Sequence, residues 1–180
     1  MRLESGETYE DLRITGEALD GDQLRLLELR RVHLVDCDLS NSEWVLPRLK
    51  DVTFEGCRTT GLQLHQARGE GVIVRGCRGR YLQLLQCELK ATRFEHCQLT
   101  ESSIMGCRLG GSIFRECDLG GTVLEGSEMR DADLRGCDIG GLRATVDELA
   151  GAILDPDQAA AILRGQAEIL VLPLGVPVPR

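Results

Sequence analysis

The chain has 180 residues, a length typical of one domain, and its formal net charge is −8 at pH 7. The acidic surplus argues against binding to nucleic acid or to anionic membranes, because both require a basic surface. Hydrophobic residues make up 42% of the chain but aromatic residues only 3%, so a core must be built from leucine, isoleucine, valine, cysteine and alanine.

The N-terminal stretch MRLESGETYEDLRITGE is polar and acidic, and it lacks the apolar segment of a secretory signal. No later stretch approaches the ~18 to 20 consecutive apolar residues that span a bilayer. We therefore expect a cytoplasmic protein with no membrane partner.

A repeat of five residues runs through most of the chain. A large apolar residue occurs at nearly every fifth position from Ile14 to Ala144, and a mostly small residue precedes it by two positions from Val32 onward. The stretch GCRLGGSIFRECDLGG (106–121) shows the pattern clearly. A period of five belongs to neither an α-helix nor a simple β-strand, and an unbroken internal repeat indicates a solenoid.

This pattern resembles the pentapeptide-repeat family, whose unit reads roughly A(D/N)LXX with the leucine named i and the small residue i−2. The clearest copies are CDLSN (37–41), CDLGG (117–121), ADLRG (132–136) and CDIGG (137–141). The resemblance implies an all-β fold, a right-handed quadrilateral β-helix with four units per coil and with i and i−2 pointing inward. The coils would stack through parallel backbone hydrogen bonds at ~4.8 Å per coil.

Four units make a coil of twenty residues, and the cysteines follow that period. Six cysteines are twenty residues apart, Cys87 and Cys107 form a second pair at the same spacing, and all eight occupy i−2. A buried thiol behaves as a small hydrophobe. The predicted structural core includes Cys37, Cys57, Cys77, Cys97, Cys117, Cys137, Phe94, Phe114, Leu119 and Leu134.

Disulfides and metal sites are not expected on this pattern. Parallel side chains in register keep their Cβ atoms about one coil spacing apart, slightly too far for a relaxed disulfide, and a cytosolic protein is held reduced. His33, His65 and His96 fall at outward or corner positions, and none shares a face with two thiols. We expect no cofactor.

Residues 59 to 82 depart from the pattern. Gly69 and Gly79 stand where the inward leucine is expected, while Leu62 and Leu82 place a large residue at i−2. We interpret this exchange as volume compensation and expect these coils to be locally distorted.

The repeat stops after Ala144, which divides the chain into a β-helix of residues 1–145 and a C-terminal segment of residues 146–180. Asp155 as N-cap, Pro156 and Gln158 in the first turn and Gly165 as a stop predict a short helix over 156–164. A solenoid exposes its last coil as an open edge, so this segment either caps the stack or also joins two chains end to end. The resemblance to the quinolone-resistance pentapeptide proteins implies a homodimer through this segment, with the interface residues Ile162, Leu163, Ile169, Val171 and Leu172.

Charge is unevenly distributed along the repeat. Residues 101–160 carry 12 acidic and 5 basic side chains, whereas residues 61–100 carry 3 acidic and 6 basic side chains. The resemblance to the quinolone-resistance members implies a DNA mimic that occupies the DNA-binding saddle of a type II topoisomerase, DNA gyrase or topoisomerase IV, and modulates it or protects it from inhibitors. The carboxylates that would replace phosphates are Glu116, Asp118, Glu125, Glu128, Asp131, Asp133 and Asp138.

A structural scaffold or protein–protein interaction module with an undefined partner is the alternative, since charged residues must face outward on any narrow solenoid. An enzyme is not expected, because no nucleophile, acid and base converge in the pattern and the outward residues lie on flat faces without a pocket.

Overall fold

The fold is a parallel β-solenoid followed by one helix. The computed structural model describes the backbone of residues 2–174 and the side chains up to residue 165. The strands are β1 (Thr8–Glu10), β2 (Arg13–Thr15), β3 (Gln23–Arg25), β4 (Glu28–Arg30), β5 (His33–Val35), β6 (Glu43–Val45), β7 (Arg48–Lys50), β8 (Thr53–Glu55), β9 (Gln63–His65), β10 (Arg68–Glu70), β11 (Ile73–Arg75), β12 (Gln83–Leu85), β13 (Glu88–Leu89), β14 (Arg93–Glu95), β15 (Ser103–Met105) and β16 (Ile113–Arg115), and the helix is α1 (Pro156–Leu174).

Each coil has four sides, which we number in chain order. Face 1 is the sheet β1-β4-β7-β10-β13, face 2 is the sheet of β2, β5, β8, β11, β14 and β16, and face 4 is the sheet of β3, β6, β9, β12 and β15. Face 3 has no regular strands; it is a ladder of parallel bridges that joins residues 18, 38, 58, 78, 98, 118 and 138. Strand partners are twenty residues apart, as in Leu34↔Phe54, so the predicted coil length is confirmed.

The inward positions are those that the repeat predicted. The six stacked cysteines are all buried, as are Phe94, Phe114, Leu119 and Leu134. The rings of Phe94 and Phe114 stack with their centroids 4.6 Å apart. Two side chains of every five therefore fill the narrow interior, and three face outward or form the corner.

The last residue of each unit forms the corner between two faces, and its backbone is left-handed. Glycine is common there, as at Gly56 with φ of 63°, but Leu26 adopts the same conformation with φ of 55°. A left-handed φ is costly for a side chain with a Cβ atom. The corner geometry is thus imposed by the stacked coils and not by glycine alone.

The predicted distortion of residues 59 to 82 is wrong. Gly69 stays in register with Leu49 on one side and Leu89 on the other. The Cδ2 atom of Leu89 lies 2.6 Å from the point that a Cβ atom of Gly69 would occupy, and Leu62 and Leu82 are buried in the same region. Neighbouring leucines fill the missing volume, which leaves an internal cavity of about 40 Å³.

The C-terminal helix begins at the predicted residue but does not end there. It runs from Pro156 to Leu174, past the predicted end at residue 164. Gly165 costs only about 1 kcal/mol relative to alanine inside a helix, so it does not stop one when helix-forming residues follow. Before the helix, a bridge between Asp133 and Ile153 extends the ladder of face 2.

Candidate protein-binding surface

The acidic side chains of the last coils surround the rod and do not form one stripe. Face 1 and its corner carry Glu128 and Asp131, and face 4 carries Glu125; these positions follow from the registers of the ladders. The other four predicted carboxylates divide equally between face 2, with Glu116 and Asp133, and face 3, with Asp118 and Asp138.

On face 2 the carboxylates have an arginine and a histidine as neighbours. The carboxylate of Asp133 accepts hydrogen bonds from Arg135 at 2.9 and 2.7 Å, and this contact lowers the pKa of Asp133. Glu116 lies 3.2 Å from the ring nitrogen of His96. Face 1 also carries Arg108 and Arg130 in these coils. The electrostatic potential of these two faces is therefore mixed.

Face 3 is different, because within the coils that the structure describes no Lys or Arg occurs on it after Arg80. Asp118 and Asp138 are bridge partners in adjacent coils, which places their Cα atoms ~4.8 Å apart. One oxygen of each carboxylate accepts a hydrogen bond from the amide of the residue two positions later, Gly120 at 2.9 Å and Gly140 at 2.8 Å. These bonds fix the orientation of both carboxylates.

Glycine makes the rest of this acidic surface flat. The positions that follow the inward residue are Gly120 and Gly121 in one coil and Gly140 and Gly141 in the next. The carboxylate of Glu101 lies over Gly121, where its Cδ atom is 2.9 Å from the point that a Cβ atom would occupy. We name Glu101, Asp118 and Asp138 with these four glycines the acidic patch. The sequence predicted Asp118 and Asp138 but not Glu101 or the separation of this face from the others, which reading the outward residues at intervals of twenty would have shown.

Basic side chains occupy the same face in the coils before the acidic patch. Arg58 donates a hydrogen bond to Asp38 at 3.0 Å, and the guanidinium of Arg80 lies 4.7 Å from the centroid of the Tyr81 ring. Arg78 forms no ion pair with any residue in the described part of the chain. Face 3 thus changes from basic to acidic along the rod.

The ladder of six cysteines lies directly behind face 3, the pair Cys87 and Cys107 lies behind face 1, and both are closed to solvent. All eight cysteines are free and buried. The Sγ atom of Cys117 donates to the carbonyl oxygen of Phe94 at 3.4 Å, and equivalent contacts recur along the ladder. Burial raises the pKa of the Cys37 thiol. These thiols therefore fill space and are protected from reagents in solution.

The C-terminal end of the solenoid is only partly covered. The side-chain amide of Gln158 is buried and donates to the carbonyl oxygens of Leu134 and Cys137, both at 2.9 Å. Its Oε1 atom accepts from the amide of Asp155 at 2.8 Å, which confirms the predicted pairing at the helix start. These bonds attach the first turn of α1 to the last coil.

Beside this attachment a cleft of about 720 Å³ separates the helix from the last coil. It is lined by Ile139, Leu142, Leu149 and Ile162 among other residues. Of the predicted dimer residues, Ile162 is half-buried here and Leu163 is 62% exposed. Ile169, Val171 and Leu172 lie in α1 beyond the residues whose side chains are described.

Face 4 carries few charges. Its central column contains Val45, His65, Leu85 and Met105, all partly exposed, and the exposed Leu26 and Leu46 form its corner. Uncharged Gln63, Gln83 and Ser103 flank that column. This face is a flat sheet of mixed apolar and neutral polar character.

Several solved structures are similar to this chain. It is similar to the plasmid-mediated fluoroquinolone resistance protein QnrB1, with 16% identity over 97% of this chain and 100% of the other and a TM-score of 0.30. It is also similar to HetL, which is involved in heterocyst differentiation regulation in Nostoc sp. strain PCC 7120, with 18% identity over 86% and 89% of the two chains and a TM-score of 0.27. A thylakoid lumen protein of Arabidopsis thaliana is 14% identical over 85% and 75% of the two chains, with a TM-score of 0.37.

No curated protein sequence gives a significant match. Among the described residues, no helix has the length and apolar character needed to cross a membrane. A sequence profile of the pentapeptide repeat region matches residues 27–103 and 48–124, which together span more than half of the chain. The chain therefore belongs to the pentapeptide repeat family.

Proposed function

We propose that this protein is a non-enzymatic rod that binds the DNA-binding surface of a type II topoisomerase, DNA gyrase or topoisomerase IV, in place of DNA. The acidic patch on face 3 is the observation that carries the proposal. It presents Asp118 and Asp138 in register, with glycines beside them along each coil and no Lys or Arg on the described part of this face after Arg80. A flat row of fixed carboxylates is complementary to a surface that binds phosphates.

The amount of charge supports the same proposal. The solenoid part of the acidic segment, residues 101–155, carries 11 acidic and 5 basic side chains over nearly three coils, or ~13 Å of the rod axis. B-DNA of that length carries roughly 8 phosphate charges, compared with a net charge of −6 in this segment. The choice of a topoisomerase as partner rests on the resemblance to the quinolone-resistance members described above. The reduced thiol ladder fits a reducing compartment such as the cytoplasm.

A supercoiling assay with purified gyrase, titrated with this protein, tests the proposal. We expect inhibition that weakens as salt rises, because the contact is between charges, and that is relieved by added duplex DNA. An Asp118→Lys/Asp138→Lys double variant should lose inhibition. A Glu7→Lys/Glu70→Lys double variant changes the net charge equally on another face and should retain it. Unchanged supercoiling at a large molar excess of the native protein in low salt would refute the proposal, and topoisomerase IV would be titrated in the same way.

A homodimer through the C-terminal segment is part of this proposal, with residues 146–180 acting as cap and dimer contact. The partly open cleft between α1 and the last coil supports it, since apolar Ile139, Leu142 and Leu149 line a surface that the helix of the same chain does not fill. Leu163 projects from the helix beside this cleft with 62% of its surface exposed. Leu163→Asp should therefore weaken the dimer in sedimentation experiments, whereas Arg164→Asp, an exposed neighbour, should not. A native chain that sediments as a monomer at tens of micromolar would contradict the dimer.

Face 4 favours a second candidate function, a scaffold or interaction module for a partner other than a topoisomerase. Its column of Val45, Leu85 and Met105 is partly exposed and nearly free of charge, unlike the other faces. Leu85→Lys should abolish binding to such a partner and leave gyrase inhibition unchanged. The supercoiling titration therefore separates the two candidates.

A further inference from the structure

The charges on face 3 are arranged symmetrically with opposite sign. In the bridge ladder the outward residues from residue 58 to residue 138 read Arg58, Arg78, Gln98, Asp118 and Asp138. Gln98 lies in the middle, with two cations on one side and two carboxylates at the same distances on the other. A surface with this order of charges is complementary to the same surface on a second copy when the two rods lie antiparallel.

The constant coil length makes this complementarity geometric. Every step of the ladder is one coil, so two antiparallel rods that meet at Gln98 keep the same register at all levels. A twofold axis along the strand direction of face 3 then brings Arg78 opposite Asp118 of the second copy. It brings Arg58, which also binds Asp38 of its own chain, opposite Asp138 of the second copy. The two reciprocal pairs follow by symmetry, as in any interface that uses the same patch on both subunits.

The shapes of the two halves also fit. The same operation places Arg80 opposite Gly120 and Tyr81 opposite Gly121, so large side chains on one rod meet positions without side chains on the other. Tyr81 is exposed in the single chain. Glu101 lies near the axis, but its carboxylate is directed over Gly121, where it faces Arg80 and Tyr81 of the second copy and not its own equivalent.

We propose that face 3 is a self-association surface on which two copies of this chain pack antiparallel about Gln98. The paired levels from Arg58 to Asp138 extend ~19 Å along the rod axis. Each level is four residues, or ~13 Å, wide across the face, so the contact area on each copy is about 250 Å². A stable interface buries about 800 Å² per partner, so this one is weak, forms at high protein concentration and dissociates in salt. Because it covers Asp118 and Asp138, self-association and binding through the acidic patch exclude each other. The proposal does not depend on which protein binds that patch.

Complementary charge reversal tests the pairing. Arg78→Asp places two like charges together at each contact, and Asp118→Arg does the same with the opposite sign, so in low salt each variant alone should show a dissociation constant for self-association at least tenfold higher. An equimolar mixture of the two variants should associate again, because every contact then joins opposite charges. Unchanged self-association of the single variants, or a mixture no tighter than either variant alone, would overturn the proposal.

The variants Arg58→Asp and Asp138→Arg repeat this test at the outer contacts. They provide an independent test of the pairing if either of the first two variants does not fold. Circular dichroism would verify the fold of each variant.

A crosslinking experiment locates the axis. Gln98 is exposed and faces itself across the axis, so Gln98→Cys should form an intermolecular disulfide on mild oxidation in low salt. Gln23→Cys, an exposed glutamine at the equivalent position of face 4, is the matched control and should form no intermolecular disulfide. Adding Leu163→Asp should leave the Gln98→Cys crosslink unchanged, which separates this contact from a C-terminal dimer. Equal crosslinking of both positions, or none at either, would refute the inference.

Discussion

Replacing Leu119 by alanine tests the inward assignment and its energetics. The side chain is 3% exposed and lies in the inward column of face 3, between Leu99 and Ile139. Removing three buried carbons costs ~2.4 kcal/mol at ~0.8 kcal/mol per group. The bridge ladder holds the neighbouring coils at a fixed spacing, so the cavity cannot collapse and adds to this cost. We expect a total of about 3 to 4 kcal/mol, within the range seen for Leu→Ala in well-packed cores.

Urea unfolding followed by circular dichroism measures this loss. With an m-value of roughly 2 kcal/mol/M, the midpoint should fall by about 1.5 to 2 M. Cys117→Ala removes a single buried sulfur atom and should cost ~1 kcal/mol. Ile139→Ala deletes as many carbons one coil later, where the column is only partly buried, and should cost less than Leu119→Ala. Either control costing more than Leu119→Ala would show that the column is not packed as described.

Three further predictions concern the thiols, the corners and the response to acid. All eight cysteines should react with a thiol reagent only after denaturation, and rapid labelling of several in the native protein would contradict the buried ladder. Leu26 is 61% exposed and has φ of 55°, so Leu26→Gly should raise stability by about 0.5 to 1 kcal/mol, whereas Gln23→Gly in an extended strand should lower it by a similar amount. Burial raises the pKa of Glu148, but hydrogen bonds from the amides of Thr145 and Gly126 outweigh it and hold that pKa below its ordinary value. A carboxylate whose pKa is lower in the folded than in the unfolded state stabilises the protein when the pH is above the unfolded-state pKa, and this stabilisation is lost as the pH falls through the folded-state pKa. Glu148→Gln should therefore lower the free energy of unfolding near neutral pH and make stability depend less on pH during acid denaturation. Asp147→Asn should do neither.

Because the charge along the rod is mixed, the summed charge does not by itself show which face binds a partner. Residues 101–160 have a large acidic excess, yet Asp133 is paired with Arg135 and Glu116 lies against His96. Asp118 and Asp138 lie on face 3 in the coils that follow its last arginine, Arg80. A partner therefore meets a different potential on each of the four faces.

The sequence by itself determined the path of the backbone. Burial repeats every five residues, and the choice of inward side chain depends only on position within the unit, so the cysteine ladder, Phe94, Phe114 and the coil of twenty residues could all be predicted. The start of α1 at Pro156 could also be predicted, because the residues that determine it, Asp155 and Gln158, lie within one turn of it.

The tertiary structure decided what lies next to what across the coils. The environment of a carboxylate such as Asp118 depends on residues twenty positions away and on the neighbouring face, which a repeat of five does not distinguish. The coils around Gly69 stay regular because Leu89 from the next coil fills the space, and α1 continues past Gly165. Inward positions are selected by a periodic burial that every unit shares, whereas the separation of a basic from an acidic half on face 3 arises only when distant units are stacked in register.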